Sequence, residues 1–197
     1  MKPSDFFLGV VNFLGVLVPG AILLLLRGWT FGIIKDGTVP QWLVFGGVAY
    51  VLGQFLLGVT EWLNWIPNHV PLPGTVHKDV VHFRDLAAWQ LGLLKDSSLQ
   101  AQFHVALSYL RINSAEAAAE IDHHMADYKL LRNLVAVLAI DLVARYPQGS
   151  TEFVPWEALA LLACFIAFLR MFNWAQLLAF QYVCLIKNQP RDTAKQS

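Results

Sequence analysis

Residues 6–26 carry no charged side chain, and this run constrains the fold more than any other feature of the sequence. As a helix rising ~1.5 Å per residue, it has about the length of the hydrocarbon core of a bilayer. The run is longer than the core of a secretory signal, and no small-residue cleavage pattern follows it. Only 14% of all residues are charged, against roughly 25% in soluble domains. We therefore expect residues 6–26 to be a retained membrane span.

Two further long segments are suited to crossing a bilayer. Residues 42–63 are rich in glycine, and the spacing of Ala49 and Gly53 favours close approach of another helix. Residues 153–186 are compatible with one helix that is too long for an untilted crossing. Because the uncharged part of this segment stops at Arg170, its helix either leaves the membrane there or is steeply tilted.

The segment between the second and third spans has a mixed polar and apolar composition with helical spacing. Its first helix is predicted over residues 79–95, and a capping signal at Ser97 opens a second helix that ends at Ile112. A further helix is expected to begin near Ser114. It should run directly into a short third span at residues 130–146, since no proline interrupts that stretch.

These elements predict an all-α fold, a polytopic membrane helix bundle of about four transmembrane helices with a helical cytoplasmic loop region. Four crossings place both termini and the large loop on one side, which holds ten basic residues against three on the other. The positive-inside rule makes that side the cytoplasm. If the third span were only an interfacial helix, the C-terminus would lie outside. The expected division is transmembrane helices 1 and 2 at 1–63, a cytoplasmic helical region at 64–129, transmembrane helices 3 and 4 at 130–186, and a flexible tail at 187–197.

Charged side chains within spans are informative because each is costly in hydrocarbon. Glu61 and Arg170 both fall near the inner boundary of their spans. They either cap and snorkel at the interface or form an interhelical lock or part of an ion pathway. Asp141 has Arg145 one turn later on the same face, which favours a local ion pair near the outer surface.

Polar residues also recur along one face of the first two spans. Asn12 lies seven residues from Asp5 and from Pro19, and Gln54 shares a face with Tyr50. Such stripes either pack against other helices or line a water-filled pathway. The candidate pore-lining or interhelical polar residues are therefore Asn12, Gln54, Glu61, Asp141 and Arg170.

Two sets of residues outside the spans suggest ligand chemistry. A local basic pocket for an anionic ligand is one interpretation of four residues, with a solvated face as the alternative: Arg84, Arg111, Lys129 and Arg132. Carboxylate and imidazole groups with metal-ligand spacing occur together at Glu120, His123, His124 and Asp127. Carboxylate-bridged metal bundles need matching ligands from other helices, which one copy of this chain lacks. A solvated polar face is the favoured interpretation, and no metal site is expected.

No catalytic or cofactor motif is present. The sequence has no P-loop, dinucleotide fingerprint, nucleophile elbow, zinc-finger spacing or His-Glu-x-x-His. Cys164 and Cys184 are twenty residues apart in one helical stretch, about 30 Å and beyond disulfide reach. The net charge is zero and the cytoplasmic loop lacks a basic excess, so direct binding of duplex nucleic acid is not expected. The chain is predicted to be neither an enzyme nor a cofactor-binding protein.

Short apolar motifs carry a resemblance to a group of membrane proteins: Asp5-Phe6-Phe7-Leu8-Gly9, Leu17-Val18-Pro19-Gly20 and Tyr50-Val51-Leu52-Gly53-Gln54. Together with the layout of the chain, they make it resemble small bacterial four-span membrane proteins of antiphage defence, such as the membrane effector of the Hailong system and the membrane component of Kiwa. The resemblance implies a place in the bacterial inner membrane. It also implies an oligomer whose cytoplasmic loop senses a signal while its spans open, leak or transmit.

The leading functional hypothesis is a homo-oligomeric membrane channel or membrane-disrupting effector, gated through its cytoplasmic helical region. A tetramer is the favoured assembly, and a cytoplasmic protein or a nucleotide-type ligand is an expected partner besides the lipid bilayer. The alternative is a non-conducting membrane sensor or scaffold that recruits a cytoplasmic partner protein. A membrane enzyme using the Glu120 cluster ranks third.

Overall fold

The structure is a computed structural model that describes residues 3–28, 30–35, 37–66, 75–93, 98–145 and 154–188. All regular secondary structure in these ranges is helical, which confirms the all-α prediction. A single helical turn, Thr30–Ile33, precedes the second helix, and a 3₁₀ segment, Thr60–Asn64, extends it. The six longer helices are α1 (Pro3–Leu26), α2 (Val39–Val59), α3 (Thr75–Leu91), α4 (Leu99–Asn113), α5 (Ala115–Arg145) and α6 (Val154–Asn188).

Local signals explain most of the helix boundaries and correct two of the predicted ones. Helix α3 ends at Leu91 because Gly92 adopts a positive φ of 68°, and residue 95 lies outside the described residues. The predicted helix over 79–95 therefore begins too late and ends too late. The N-cap of α4 is Ser98, whose hydroxyl accepts the backbone N–H of Ala101 at 3.3 Å. The predicted capping residue, one position earlier, also lies outside the described residues.

Helices α1 and α2 pack with their backbones almost in contact. A Cβ atom placed on Gly53 would lie 1.9 Å from the carbonyl oxygen of Val16, and one on Gly20 would lie 1.8 Å from that of Ala49. Only glycine fits at either position. The close approach expected from the Ala49 and Gly53 spacing is thus present, and the helix that makes it is α1.

The long helices α5 and α6 pack along each other and belong to two layers. In the first layer, here called the apolar layer (the described residues of 3–64, 130–145 and 154–170), a small core forms around Leu23, Leu56 and Val137. In the second, here called the cap layer (residues 75–93, 98–128 and 172–188), α3 and α4 pack against α6 around the larger core. The uninterrupted helix predicted from near Ser114 corresponds to α5.

Helix α6 reverses its pattern of exposure near Arg170. Several of its large apolar side chains are exposed up to Ile166, whereas buried ones begin at Phe168 and recur as far as Val183, with Trp174 and Leu185 still exposed. Residues on the second half complete the core of the cap layer, where Phe180 and Val183 are fully enclosed. The exposed side chains of the first half include Trp156, Leu159, Leu162 and Ile166.

Two helices in the described ranges are long and apolar enough to cross a membrane, Val39–Asn64 and Pro155–Asn188. Only 22% and 28% of their most apolar stretches are buried, whereas the core helix of a soluble protein would be mostly buried. A shorter apolar helix covers Phe13–Leu26. The four-span prediction is therefore met in part, by an all-helical chain with two candidate membrane spans.

Candidate functional site

A compact set of ion pairs joins α1, α5 and α6 at the end of the apolar layer farthest from the cap layer. The side chain of Asp141 is only 2% exposed and lies between two arginines, 2.8 Å from Arg145 Nε and 3.7 Å from Arg27 Nε. Arg145 also contacts Glu157 at 3.3 Å. The local pair of Asp141 and Arg145 is present, and the structure adds Arg27 and Glu157 to it. These charges tie three helices together.

A second polar group is buried where α2 meets the middle of α5. The Thr60 hydroxyl donates a 2.7 Å hydrogen bond to Asn133 Oδ1, and both residues are enclosed. Arg132 Nη1 donates to Asn64 Oδ1 at 2.9 Å, and its guanidinium lies 5.9 Å from the ring centre of Tyr128. These contacts fix the inner end of α2 to α5 at the junction of the two layers.

The polar stripe of α2 faces outward from a single copy of the chain. Gln54 is exposed and donates a 2.9 Å hydrogen bond to the Tyr50 hydroxyl, whose ring stacks on Phe13. Gln54 and Tyr50 line an open cavity of about 360 Å³ between α1, α2 and α5, and Lys129 lies on its wall. The side chain of Asn12, predicted to share such a stripe, lies outside the described residues.

Glu61 and Arg170 are both exposed, and within the described ranges they form no ion pair with each other. The Glu61 charge acts instead on Arg132 and on Tyr128. The structure therefore places Glu61 beside the buried junction. Arg170 lies at the reversal of exposure in α6.

A cavity of about 410 Å³ lies under the cap layer, between α4, α5, α6 and the 3₁₀ end of α2. Its wall combines the opposite charges of Glu61 and Lys129 with aromatic rings, among them Tyr128 and Phe172. Gln176 also lines it and is 2% exposed, and its Oε1 has no hydrogen-bond partner among the described residues. This cavity therefore brings charged, polar and aromatic side chains together at the junction of the two layers.

The four basic residues considered for an anionic ligand occupy different surroundings. Arg84 contacts the neighbouring Asp85 at 2.7 Å, and Arg111 contacts Asp122 at 2.9 Å. Arg132 is held in the buried junction. Lys129 is half-buried, lines both cavities, and forms no ion pair with any described residue. Their joint role as one anionic site stays a prediction.

The carboxylates and histidines considered as metal ligands near residue 120 make separate contacts along α5 and with α6. The Tyr182 hydroxyl donates a short hydrogen bond to Glu120, and His123 lies 3.8 Å from Asp127. No three ligand-type residues within the described ranges are placed to hold a metal ion.

Two groups in the cap layer have shifted ionisation. The hydrogen bond to Glu120 raises the pKa of Tyr182 above its ordinary value of 10.0, since it stabilises the protonated phenol. Burial raises the pKa of the Cys184 thiol. Both cysteines are free. Neither shift produces a nucleophile or an acid–base pair at neutral pH.

Sequence reasoning missed three functional candidates, Arg27, Glu157 and Gln176. Arg27 directly follows the first predicted span and Glu157 lies near the start of the last one, so both are charges that could meet Asp141 from other helices. Gln176 was visible only as one of several polar residues in the last segment. No family model matches the chain, and no curated protein or solved structure matches it.

Proposed function

We propose that the chain is a multi-pass membrane protein that acts as a homo-oligomeric channel or membrane-disrupting effector gated through its cap layer. The observation that carries the proposal is the exposed polar stripe of α2, Tyr50, Gln54 and Glu61, on a helix whose other outward side chains are apolar.

The proposed topology has four spans, formed by α1, α2, residues 130–145 of α5 and residues 154–170 of α6. The exposed apolar side chains of α2 and of the first half of α6 support lipid contact. Buried side chains of α6 begin at Phe168, just before Arg170, and this supports an exit of α6 from the membrane near Arg170 rather than a steep tilt. The excess of basic residues supports a cytoplasmic location for both termini and the cap layer, in a bacterial inner membrane.

An exposed glutamine at membrane depth indicates that something other than lipid covers it. Gln54 uses its Nε2 on Tyr50, and its side chain is exposed in a single copy of the chain. An unsatisfied amide is costly in hydrocarbon, so a second copy of the chain or water is the favourable neighbour. Symmetric copies, in the favoured tetramer, would turn the stripe into a ring of polar groups around a pathway.

The cap layer offers a direct mechanical route to these spans. Helices α5 and α6 each run through both layers without interruption, and the junction of Thr60 with Asn133 ties α2 to α5. A ligand or partner protein that displaces α3 and α4 would move α5 and α6 as rigid elements. Opening would then follow from rotation of α5 against α2.

Ion flux through liposomes containing the purified protein tests the proposal. Wild-type protein should release a trapped ion, and Gln54→Leu should reduce the flux at least ~10-fold by removing the polar ring. The matched control is Val51→Ala, an exposed apolar position one turn earlier on the same helix, which should conduct like wild type. The proposal would be contradicted if the purified protein is monomeric in detergent and gives no ion flux in liposomes at any applied potential.

The exposed apolar residues of the cap layer favour a second function, that of a non-conducting scaffold for a cytoplasmic protein. Trp89 is 78% exposed and Ile112 is 84% exposed, although both lie outside the proposed spans. If this function holds, a stoichiometric partner should co-purify with wild type and be lost with Trp89→Ser, in a protein that never conducts.

A role in defence against phage rests on the resemblance described above. Plating of phage on cells that express the protein tests this role, with cells that express Gln54→Leu as the control.

A further inference from the structure

The cavity under the cap layer lies at the depth where the proposed spans end. Its wall includes Glu61, in the 3₁₀ turn that terminates α2, and Lys129, the last residue before the third span. Trp62, next to Glu61, is exposed. Exposed tryptophan is typical of the membrane–water interface, so the cavity opens at the level of lipid headgroups.

The charges on the wall select for a zwitterion. Glu61 is exposed on one part of the wall, and Lys129 forms no ion pair with any residue in the described ranges. One carboxylate and one ammonium group complement a ligand that carries both signs. A nucleotide carries several negative charges, and Glu61 would repel it.

Gln176 adds a requirement for a hydrogen-bond donor. It is 2% exposed, lines the cavity, and its Oε1 accepts no hydrogen bond from the residues that the structure describes. Buried polar atoms in native proteins are nearly always paired. Because the terminal torsion of glutamine is soft, the amide can turn toward a donor in the cavity.

We propose that this cavity binds the headgroup of a phospholipid that carries a primary ammonium group, as phosphatidylethanolamine does. The ammonium donates hydrogen bonds to Glu61 and to Gln176 Oε1, and the phosphate contacts Lys129. A volume of about 410 Å³ is sufficient for such a headgroup. This inference rests on the membrane placement in the proposed function, and it makes the bound lipid a structural link between α2 and the cap layer.

Lipid binding to the purified full-length chain, measured by native mass spectrometry, tests the inference. Phosphatidylethanolamine is compared with phosphatidylcholine of the same acyl chains, because the choline group has no N–H to donate. Wild type should bind phosphatidylethanolamine about tenfold more tightly, as one hydrogen bond to a charged group predicts. Equal affinity, or a preference for choline through the aromatic wall, would overturn the proposal.

Single substitutions test which residues produce the preference for phosphatidylethanolamine. Gln176→Leu and Glu61→Gln should each remove most of the preference, and Glu61 is exposed, so its substitution should leave folding intact. The matched control is Gln90→Leu in α3, since Gln90 Oε1 also lacks a partner among the described residues but Gln90 bonds Asn188 through Nε2. A loss of preference in Gln90→Leu equal to that in Gln176→Leu would overturn the assignment.

A soluble competitor separates the two sources of the same headgroup. Glycerophosphoethanolamine should compete only weakly with the lipid, and competition at equal concentration would show a soluble occupant and overturn the lipid assignment. The lipid-binding measurement does not depend on ion flux, so the two proposals can fail separately. A protein that prefers phosphatidylethanolamine but never conducts contradicts only the proposed function, whereas a conducting protein without the preference contradicts only this inference.

Discussion

The Thr60 hydroxyl donates a 2.7 Å hydrogen bond to the side-chain oxygen of Asn133, and both residues are almost completely buried. This bond joins the last turn of α2 to the middle of α5, at the point where the apolar layer meets the cap layer. A specific hydrogen bond, and not general packing alone, therefore holds the end of α2 to α5.

A double-mutant cycle measures this contact. Thr60→Val keeps the volume and removes the donor, so we expect a loss of about 1–3 kcal/mol in the free energy of unfolding. In the double variant with Asn133→Leu the acceptor is also removed, and the two effects should be less than additive by about 1 kcal/mol. Unfolding in mixed detergent micelles provides the values. Strict additivity would show that the two residues are not coupled.

The contact of α1 with α2 should not tolerate a single methyl group. Gly20→Ala places a Cβ 1.8 Å from the Ala49 carbonyl oxygen, and we expect a loss of about 3 kcal/mol or more in the free energy of unfolding. Gly58→Ala is the control, because nothing lies within 4 Å of its Cβ position. That variant should be unchanged or more stable by up to about 1 kcal/mol. Equal thermal stability of the two variants would contradict the packing.

The enclosed carboxylate of Asp141 should be essential for the far end of the apolar layer. Asp141→Asn leaves the Arg27 and Arg145 guanidinium groups without their shared partner, which should cost about 3 kcal/mol. The control, Asp85→Asn, breaks an exposed pair with Arg84 and should cost less than about 1 kcal/mol. Thermal unfolding of both variants in detergent checks the difference. Similar losses in the two would show that Asp141 is not enclosed.

The bond between Tyr182 and Glu120 predicts a specific alkaline response. Because the folded-state pKa of Tyr182 is raised, its stabilising contribution is complete below pH 10.0 and is lost as the pH rises through the folded-state value. Tyr182→Phe and Glu120→Gln should each reduce the fall in unfolding free energy on the alkaline side. Denaturant titrations at several pH values measure this fall in the free energy of unfolding. An unchanged alkaline slope in both variants would contradict the assignment.

Local sequence patterns were sufficient to predict most of the helices. The absence of proline between Ser114 and the end of α5 predicted one continuous helix, and it is present. The end of α3 was misplaced because a helical apolar pattern continues past Gly92, whose positive φ ends the helix. Periodicity alone does not indicate where a glycine will terminate a helix.

Contacts between distant parts of the chain were harder to predict. The pairing of Asp141 with Arg145 follows from their spacing, whereas its approach to Arg27 depends on how α1 packs against α5. An interhelical pair with Arg170 was one of two alternatives for Glu61, but among the described residues the Glu61 charge acts on Arg132 of α5 instead. Side-chain pairing across helices depends on rotation about each helix axis, which composition does not determine.

Accessibility of two exposed apolar positions tests most directly whether the apolar layer lies in lipid. Leu162 on α6 and Ile112 on α4 are both exposed, but only Leu162 belongs to a proposed span. Spin labels at each position, in a Cys164→Ala and Cys184→Ala background in bilayers, report collisions with oxygen and with a water-soluble nickel chelate. The account predicts that oxygen relaxes the label at 162 more strongly and that the nickel chelate relaxes the label at 112. Strong relaxation of the label at 162 by the nickel chelate would contradict it.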